Sequence, residues 1–452
     1  MKKLIRLLTL LVIVTTSASL MAANQIVTNN NDSGAGSLRQ AIADVGDGET
    51  ITFNIAGSDI VTITSELSIS AKGITINGYN NATGDNITVQ VTTPGTSAWR
   101  VFNINASGKT TNISNMTIKG GNVESIGTLV KDGGSILVDY GTLYLENIEI
   151  TGSKGMGGGA IRMDHSSSLY MNKCLIYSCT ATLSSGGAIY SSGDSQTLEI
   201  LNSTIANNSA PGEGATSGAI DFGSGSLIVA NSTITGNSAE YGGGILVWYG
   251  DVKILNSIII NNSAPSGGND LYNYEGAINS YYSWYNGTTG TIGGSNNNTT
   301  AYTSGDLSAI AYKGGFTKTC AVSSAGNAST KAGSGVRTGI YDDGGTTKYA
   351  FWDGAEWKQL TSPTTSATGV TEITTDQRGY YRTSSAITRG AYQYDGVVAK
   401  NGGATSWTGS SDVYTTIEAA YDAASTGNTI LLAETPILES GINLDESKTI
   451  TT

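Results

Sequence analysis

Apolar residues recur at every second position in short runs along this chain, and no run between residues 110 and 265 has a helical period. Leu198 and Ile200 show the alternation, which Leu227 and Val229 repeat further along. Successive side chains of a strand point to opposite sides, so a period of two indicates strands with one apolar side. These runs predict an apolar layer that faces inward.

The runs belong to a repeat with two anchors. Successive asparagine anchors are 32, 25, 30, 29 and 25 residues apart, and the glycine anchors keep step with them. Because the spacings of the two anchors vary together, each repeat corresponds to one structural unit. We expect the asparagines to stack at one corner of the coil, and the glycines to form a tight corner where φ is unusual. The asparagine anchors are Asn115, Asn147, Asn172, Asn202, Asn231 and Asn256, and the glycine anchors are Gly133-Gly134, Gly158-Gly159, Gly186-Gly187, Ser217-Gly218 and Gly243-Gly244.

A repeat of this length with two or three strands and no helix is typical of a solenoid coil rather than a propeller blade or a leucine-rich repeat. The sequence therefore predicts an all-β fold, a single-stranded right-handed parallel β-helix over residues 24–295. We expect about eight coils between Thr52 and Asn262, each rising about 4.8 Å.

Both ends of a β-helix expose unpaired strand edges and need a cover. At the N-terminal end, residues 37–42 carry a Ser-x-x-Gln capping box and predict a helix that closes the first coil with Leu38, Ala41 and Ile42. Arg39 is expected in solvent. At the other end, residues 296–395 are predicted to form a C-terminal β cap with an inserted hairpin at Asp353-Gly354.

Residues 396–452 are predicted to contain a linker and the truncated start of a second β-helix. Thr415 to Glu418 offer another capping box, and Thr429-Ile430 repeats the pattern of Thr50-Ile51. Since a single coil cannot bury its own apolar side, we expect this chain to be the N-terminal part of a longer protein.

The first 23 residues resemble a secretory signal, with Lys2, Lys3 and Arg6 ahead of the apolar run 7–14. This run is too short to span a bilayer, so we expect an exported chain without a transmembrane segment, at the cell surface, in association with the outer membrane or outside the cell. The net charge of −12 argues against nucleic acid as a partner.

Three cysteines are too few for a disulfide framework. Cys174 and Cys179 are either a pair or two small buried side chains, and Cys320 is left over. The second interpretation is favoured because free cysteine packs as a small hydrophobe.

Three elements of the chain resemble known bacterial surface proteins. Residues 27–42, with Gly-Ser-Leu-Arg near their end, resemble the opening of many bacterial surface β-helix proteins. The Gly-Gly-Ala-Ile and Asn-Asn-Ser-Ala elements resemble repeats of chlamydial polymorphic outer membrane proteins. Residues 376–382, followed by 389–392, are similar to the closing segment of "choice-of-anchor" β-helix proteins, a resemblance that implies a device for surface attachment.

Parallel β-helices also carry polysaccharide lyases and glycoside hydrolases, whose sites need clustered carboxylates. The aspartates of the repeat region occur about once per coil in no obvious common register, so no catalytic residue is predicted. Alignment of Asp164, Asp194 and Asp221 on one outer face would favour an enzyme. The aspartates are Asp132, Asp139, Asp164, Asp194, Asp221 and Asp251.

His165 is the only histidine in the chain, and it adjoins Asp164 and lies near Arg162. Strand alternation places Arg162 and Asp164 on one face and His165 on the other, which favours a corner or surface histidine over an acid–base group. The run from Asp342 to Gly345 predicts a turn, because it lacks the spaced ligands of a calcium loop. No metal ion and no cofactor is predicted.

The best candidate for binding is a cluster of aromatic residues, since exposed rings stack on sugars or proteins. Our leading hypothesis is a noncatalytic exported surface protein with an adhesion, display or spacer role. Its partner would be an extracellular glycan or a surface protein of a host or neighbouring cell. The alternative is a polysaccharide lyase or glycoside hydrolase that acts on an extracellular glycan. The aromatic cluster is Tyr272, Tyr274, Tyr281, Tyr282, Trp284 and Tyr285.

Overall fold

The computed structural model describes residues 23–124, 131–183, 185–304, 306–310, 317–320, 336–374 and 376–377, and four further strands by their backbone. The described chain is nearly all β and forms a parallel β-solenoid of about nine turns. The prediction of an all-β right-handed parallel β-helix is confirmed. The solenoid has about nine turns rather than the expected eight or so, because coiling begins before Thr52 and continues past Asn262.

The described part of the chain contains one helix, α1 (Leu38–Asp44). The strands, numbered in chain order, are β1 Gln25–Val27, β2 Thr50–Phe53, β3 Ile60–Ile63, β4 Leu67–Ser70, β5 Thr75–Asn80, β6 Ile87–Val91, β7 Phe102–Lys119, β8 Ile136–Thr151, β9 Lys154–Gly155, β10 Ile161–Met163, β11 Ser168–Asn172, β12 Leu175–Tyr177, β13 Thr180–Ala181, β14 Ile189–Ser191, β15 Gln196–Leu201, β16 Thr204–Ala206, β17 Ser209–Ala210, β18 Ile220–Phe222, β19 Gly225–Ala230, β20 Thr233–Thr235, β21 Ser238–Ala239, β22 Ile245–Val247, β23 Asp251–Leu255, β24 Ile258–Ile260, β25 Leu271–Asn273, β26 Ala277–Tyr281, β27 Trp284–Tyr285, β28 Thr288–Thr289, β29 Ile292–Ser295, β30 Thr338–Asp342, β31 Thr347–Trp352, β32 Trp357–Gln359, β33 Thr371–Glu372, β34 Val397–Lys400, β35 Val413–Tyr414, β36 Thr429–Leu432 and β37 Thr449–Thr451.

Each coil contributes a strand to three parallel faces. The first face contains β10, β14, β18, β22 and β25, the second contains β11, β15, β19, β23 and β26, and the third contains β12, β16, β20, β24 and β27. The long strand β8 pairs with the first strand of all three faces. Equivalent inward residues stack from coil to coil, as Ile161, Ile189, Ile220, Ile245 and Leu271 do, and all five are fully buried.

A column of buried serines joins the coils between the second and third faces. The hydroxyl oxygen of Ser232 accepts a hydrogen bond from the backbone N–H of Ser203, at 3.1 Å. Ser203 accepts from Cys174 at 3.0 Å, Ser257 from Ser232 at 3.2 Å, and Ser283 from Ser257 at 3.1 Å. A buried backbone N–H without a hydrogen bond is costly. Each serine therefore provides an acceptor for the N–H group at the turn of the preceding coil.

A second column, of asparagines, follows the third face. Asn237 accepts the backbone N–H of Asn208 at 3.0 Å, and Asn262 accepts that of Asn237 at 3.1 Å. Asp270 continues the column by accepting from the N–H of Asn262, at 3.3 Å. The repeat pattern of the sequence did not distinguish these inward asparagines from those at the other corner.

Both columns are preceded by a coil that has cysteines in place of the serine and the asparagine. The N–H of Cys174 bonds to the serine column, and the N–H of Cys179 bonds to Asn208 of the asparagine column. Both cysteines are free and buried, and burial raises the pKa of the Cys174 thiol to about 12 and that of Cys179 to about 11. Cys320 is also buried. The interpretation as small buried side chains is confirmed for Cys174 and Cys179.

The predicted corner asparagines stack only in part. The side chain of Asn147 donates to Asn115 at 3.0 Å, and that of Asn256 donates to Asn231 at 2.7 Å. Lys173 takes the corner position predicted for Asn172, with φ of 55°. The corner needs the left-handed conformation, which asparagine tolerates better than most residues. Five predicted anchors adopt it: Asn115, Asn147, Asn202, Asn231 and Asn256.

The glycine anchors serve two different purposes. The first position of the first four pairs has positive φ, as at Gly186 with 66° and Ser217 with 59°. The second position is packed too closely for a side chain, since a Cβ on Gly187 would lie 2.2 Å from the carbonyl oxygen of Gly218 in the next coil. In the last repeat the left-handed residue is Gly242 rather than Gly243.

Helix α1 begins where the capping box predicts. The hydroxyl of Ser37 accepts the N–H of Gln40 at 3.2 Å, and Leu38, Ala41 and Ile42 join the solenoid core. The reciprocal half of the box is missing, because the Gln40 side chain donates to Asp44 instead. The apolar face of the helix is therefore buried as expected.

Arg39 was expected in solvent, and that expectation is wrong. Its guanidinium pairs with Asp32 at 2.7 Å and donates to the carbonyl oxygens of Ser65 and Glu66, each at 2.8 Å. Arg39 thus joins the segment before the helix to the turn before β4.

The hairpin at Asp353-Gly354 is confirmed as the connection between the antiparallel strands β31 and β32. Asp342 to Gly345 form the predicted turn, with the N–H of Gly345 bonded to the Asp342 carboxylate at 2.9 Å. Strands β30 to β33 make a four-stranded antiparallel sheet, here called the flank sheet.

The flank sheet packs on the side of the solenoid, against the outer surface of the second face. Its Tyr349 and Phe351 share an apolar cluster with Leu201, Ala230, Leu255 and Tyr281, which come from four successive coils. The hydroxyl of Tyr349 donates to Glu199 at 2.8 Å, and Asn231 donates to Thr338 at 2.8 Å. We predicted that residues 296–395 also cover the end of the solenoid, and this stays a prediction.

Four strands beyond the flank sheet are described by their backbone. β36 and β37 pair in parallel, with Thr429 opposite Thr449 and Ile430 opposite Ile450. β2 and β5 pair in the same sense near the start of the solenoid. The second capping box at residues 415–418 lies outside the described residues, and the second β-helix stays a prediction.

The close approach at Gly187 yields a test of coil spacing. Substitution Gly187→Ala should lower the free energy of unfolding by about 1–3 kcal/mol or more, because the new methyl group must displace backbone of the next coil. Gly212→Ala is the matched control, since its Cβ would meet the nearest atom at 3.1 Å. The measurement is denaturant unfolding followed by circular dichroism, and equal losses in the two variants would refute the steric explanation.

Candidate functional site

The outer surface of the first face carries the two clusters of greatest chemical interest. Arg162, Tyr190, Asp221, Leu246 and Tyr272 occupy equivalent outward positions on five successive coils. The row is charged at its N-terminal end and aromatic at its C-terminal end. Because the coils stack in register, side chains far apart in sequence become neighbours along this surface.

The aromatic end forms a groove with a cavity volume of about 250 Å³. Trp248 lies 5.2 Å from Tyr274 between ring centroids, and Tyr241 lies 6.2 Å from Tyr272 in an edge-to-face contact. Tyr274 is 52% exposed, so its ring is open to a ligand. We call this site the aromatic groove; its lining is Gly214, Thr216, Tyr241, Leu246, Trp248, Tyr272 and Tyr274.

Asp221 lies fully buried beneath the aromatic groove. One carboxylate oxygen accepts the indole N–H of Trp248 at 3.0 Å, and the other accepts the hydroxyl of Thr216. Burial raises the pKa of Asp221 to about 6 despite these hydrogen bonds. Asp221 therefore orients two groove residues and holds the indole of Trp248 in place.

The structure divides the predicted aromatic cluster among three environments. Tyr272 and Tyr274 line the aromatic groove. Tyr281 and Tyr282 pack against Phe351 of the flank sheet, with centroid distances of 5.7 and 5.6 Å. Trp284 and Tyr285 are buried. Four of the six residues thus pack against other parts of the chain, and two remain candidates for ligand contact.

Tyr241 and Trp248 are not among the predicted residues, because they lie outside the aromatic-rich segment from Tyr272 to Tyr285. The coil spacing contains the missing signal. Trp248 and Tyr274 are 26 residues apart, as are Asp251 and Ala277, which the register pairs on adjacent strands. Tyr249, which is 62% exposed and meets Tyr274 edge to face, borders the groove.

Asp164, Asp194 and Asp221 do not align on one outer face. Asp221 lies within β18, whereas Asp164 follows the end of β10 and Asp194 is exposed in the turn after β14. The alignment that would favour an enzyme is therefore not formed by these three aspartates.

Asp139, Asp164 and His165 meet at the charged end of the row, and we call them the carboxylate–histidine cluster. Their ligand-type atoms all lie within 4.8 Å of one another. Nδ1 of His165 is 2.8 Å from a carboxylate oxygen of Asp139, and the ring stacks on Tyr140. The expectation that His165 points away from Asp164 is wrong, because its φ of 48° breaks the strand alternation.

The cluster belongs to a wider network of charges. Arg162 pairs with Asp132 at 2.9 Å, lies 3.5 Å from Asp164, and stacks over the ring of Tyr190. Burial raises the pKa of Asp132, and burial lowers that of Arg100, which pairs with Glu66 at 2.9 Å. Four carboxylates and two guanidinium groups therefore share this end of the row.

Comparisons with known proteins leave the family open. No family model matches the sequence, and neither a curated protein nor a solved structure matches the chain. Within the described ranges, no helix combines the length and apolar character needed to cross a bilayer. The fold is shown by the structure itself, and the resemblance to bacterial surface proteins stays a prediction.

The raised pKa of Asp221 predicts a pH dependence of stability. A pKa raised from 3.8 to about 6 means that the folded state binds the proton more tightly than the unfolded state does. Protonation of Asp221 therefore stabilises the folded state, and this stabilisation is fully present at low pH. It is lost as the pH rises through about 6. Asp221→Asn removes the titration and keeps an oxygen for the indole N–H. The thermal midpoint should fall less between about pH 4 and 7 in the variant than in the wild type.

Burial also raises the pKa of Asp270, to about 7, but this residue is present in both the wild type and Asp221→Asn. The difference between the two pH profiles therefore reports on Asp221 alone. Parallel profiles would show that Asp221 does not titrate in this range.

Proposed function

We propose that this chain is a noncatalytic, exported β-helix protein of a cell surface, and that its aromatic groove binds an uncharged extracellular glycan. The observation that carries the proposal is the convergence of four aromatic rings from two successive coils on one groove, with an exposed ring at its edge. Flat apolar rings bounded by polar groups match the faces and edges of pyranose sugars.

The chemistry of the groove favours a ligand without negative charge. None of its seven described lining residues is a lysine or an arginine, while the carboxylates of Asp221 and Glu240 bond to lining residues. The whole chain carries a net charge of −12. A polyanionic glycan would meet electrostatic repulsion here, whereas a neutral hexose polymer would not.

The same carboxylates support a binding role over hydrolysis. A glycoside hydrolase needs one carboxylic acid and one carboxylate on opposite sides of the scissile bond. Both oxygens of Asp221 accept hydrogen bonds, and Glu240 accepts from the N–H of Gly214 and the hydroxyl of Ser266. These groups act as anchors of the groove wall, which is a structural role.

The resemblances described above and the signal-like first residues support the proposed surface location. A solenoid is stiff along its axis, because every coil is bonded to the next by three parallel faces. Such a rod suits a protein that holds a binding groove away from the cell surface, where the resemblance to "choice-of-anchor" proteins implies attachment.

Substitutions in the aromatic groove test this proposal. Trp248→Ala and Tyr274→Ala should each weaken retention on a neutral polysaccharide by roughly tenfold or more, since each removes a stacking surface. Tyr79→Ala is the matched control, because Tyr79 is also exposed and lies in an early coil. Affinity electrophoresis of the full chain through gels with neutral or acidic polysaccharides measures the effect.

Two results would contradict the proposal. One is unchanged retention of both groove variants, and the other is retention of the wild type on acidic polysaccharides alone. New reducing ends or unsaturated products after incubation with the same polysaccharides would establish the enzymatic alternative.

A further inference from the structure

We propose that Asp139, Asp164 and His165 form a binding site for one divalent transition-metal ion, and that zinc is the ion with the best fit. This site lies on the same outer surface as the aromatic groove but is built from other coils, so it does not depend on the proposed function. The inference rests on donor chemistry, on geometry and on local charge.

The donor set is one imidazole nitrogen and two carboxylate oxygens. Imidazole is a preferred ligand of zinc and other late first-row metals, and it is a poor ligand for magnesium and calcium. Three protein ligands leave a fourth position of a tetrahedral zinc ion open to water. Half of the His165 side chain is exposed, so a metal ion reaches the cluster from solvent.

The three ligand atoms are already close together. They lie within 4.8 Å of one another, and Nδ1 of His165 and the Asp139 oxygen are 2.8 Å apart. Ligand atoms around a tetrahedral zinc ion are about 3.3 Å apart, given bonds of about 2.0–2.1 Å. The change from the one arrangement to the other alters the separations of these atoms by at most about 1.5 Å.

Neighbouring groups hold the ligands in place. The side-chain amide of Asn105 donates to the second oxygen of Asp139 at 2.9 Å. The backbone N–H of His165 donates to Asp164 at 3.0 Å, and the ring of Tyr140 stacks on the imidazole at 4.2 Å. Such partners fix the orientation of metal ligands and strengthen binding.

Local charge gives an independent argument. Val138 and Met163 are paired across adjacent strands, so the next residues, Asp139 and Asp164, occupy equivalent places on neighbouring coils. Like charges in such positions repel each other. With Glu66 and Asp132 they make four carboxylates against the two guanidinium groups of Arg100 and Arg162, a net charge of −2 that one divalent cation would neutralise.

The sole histidine of the chain makes a direct test possible. The full chain, prepared without a histidine tag and with ¹⁵N-labelled histidine, is titrated with Zn²⁺ while the imidazole nitrogen resonances are recorded. We expect a shift of these resonances that saturates at one equivalent, and no such shift with Mg²⁺. The buried thiols of the three cysteines do not contribute to this signal.

Asp139→Asn and Asp164→Asn should each weaken Zn²⁺ binding by about tenfold or more in the same titration. Asp194→Asn is the matched control, as it removes an exposed aspartate from the same region and should bind Zn²⁺ like the wild type. Far-ultraviolet circular dichroism without metal verifies that each variant is folded. Imidazole resonances that do not respond to one equivalent of Zn²⁺, or that respond equally in both aspartate variants and the wild type, would overturn the proposal.

Discussion

The structure depends on hydrogen bonds that buried side chains of one coil accept from backbone N–H groups of the neighbouring coil. Each coil must turn sharply between its faces, and the turn leaves N–H groups inside the solenoid that no strand can satisfy. Ser232 and Asn237 fill this need in one coil, and Ser257 and Asn262 fill it in the next. Without these columns, the stacked apolar layers would enclose unsatisfied polar groups and lose register.

The register held by these columns also creates the surface chemistry. Trp248 meets Tyr274, and Asp139 meets His165, because residues separated by one coil length lie side by side. A small change in the length of one coil would separate these partners while each coil kept its own fold. The binding surface is therefore a property of coil length as much as of residue type.

The sequence predicts the parts of the fold that repeat. Alternation and the glycine anchors identify the coils, and the left-handed corners at residues such as Asn115 and Asn231 follow from the conformations that asparagine tolerates. The contacts of the flank sheet do not repeat, so no sequence pattern predicts the hydrogen bond from Tyr349 to Glu199. The carboxylate–histidine cluster is hidden for another reason, since alternation assigns the wrong side to a residue with the φ of His165.

The flank sheet also affects how the molecule resists unravelling. A solenoid whose coils touch only their neighbours loses them one at a time from its ends, because each interface contributes separately to stability. The flank sheet contacts four successive coils at once, through Leu201, Ala230, Leu255 and Tyr281. Those coils are therefore coupled through the sheet as well as through their own stacking, so a pulling force at the C-terminal end must break the contacts of the flank sheet before it removes the coils one by one.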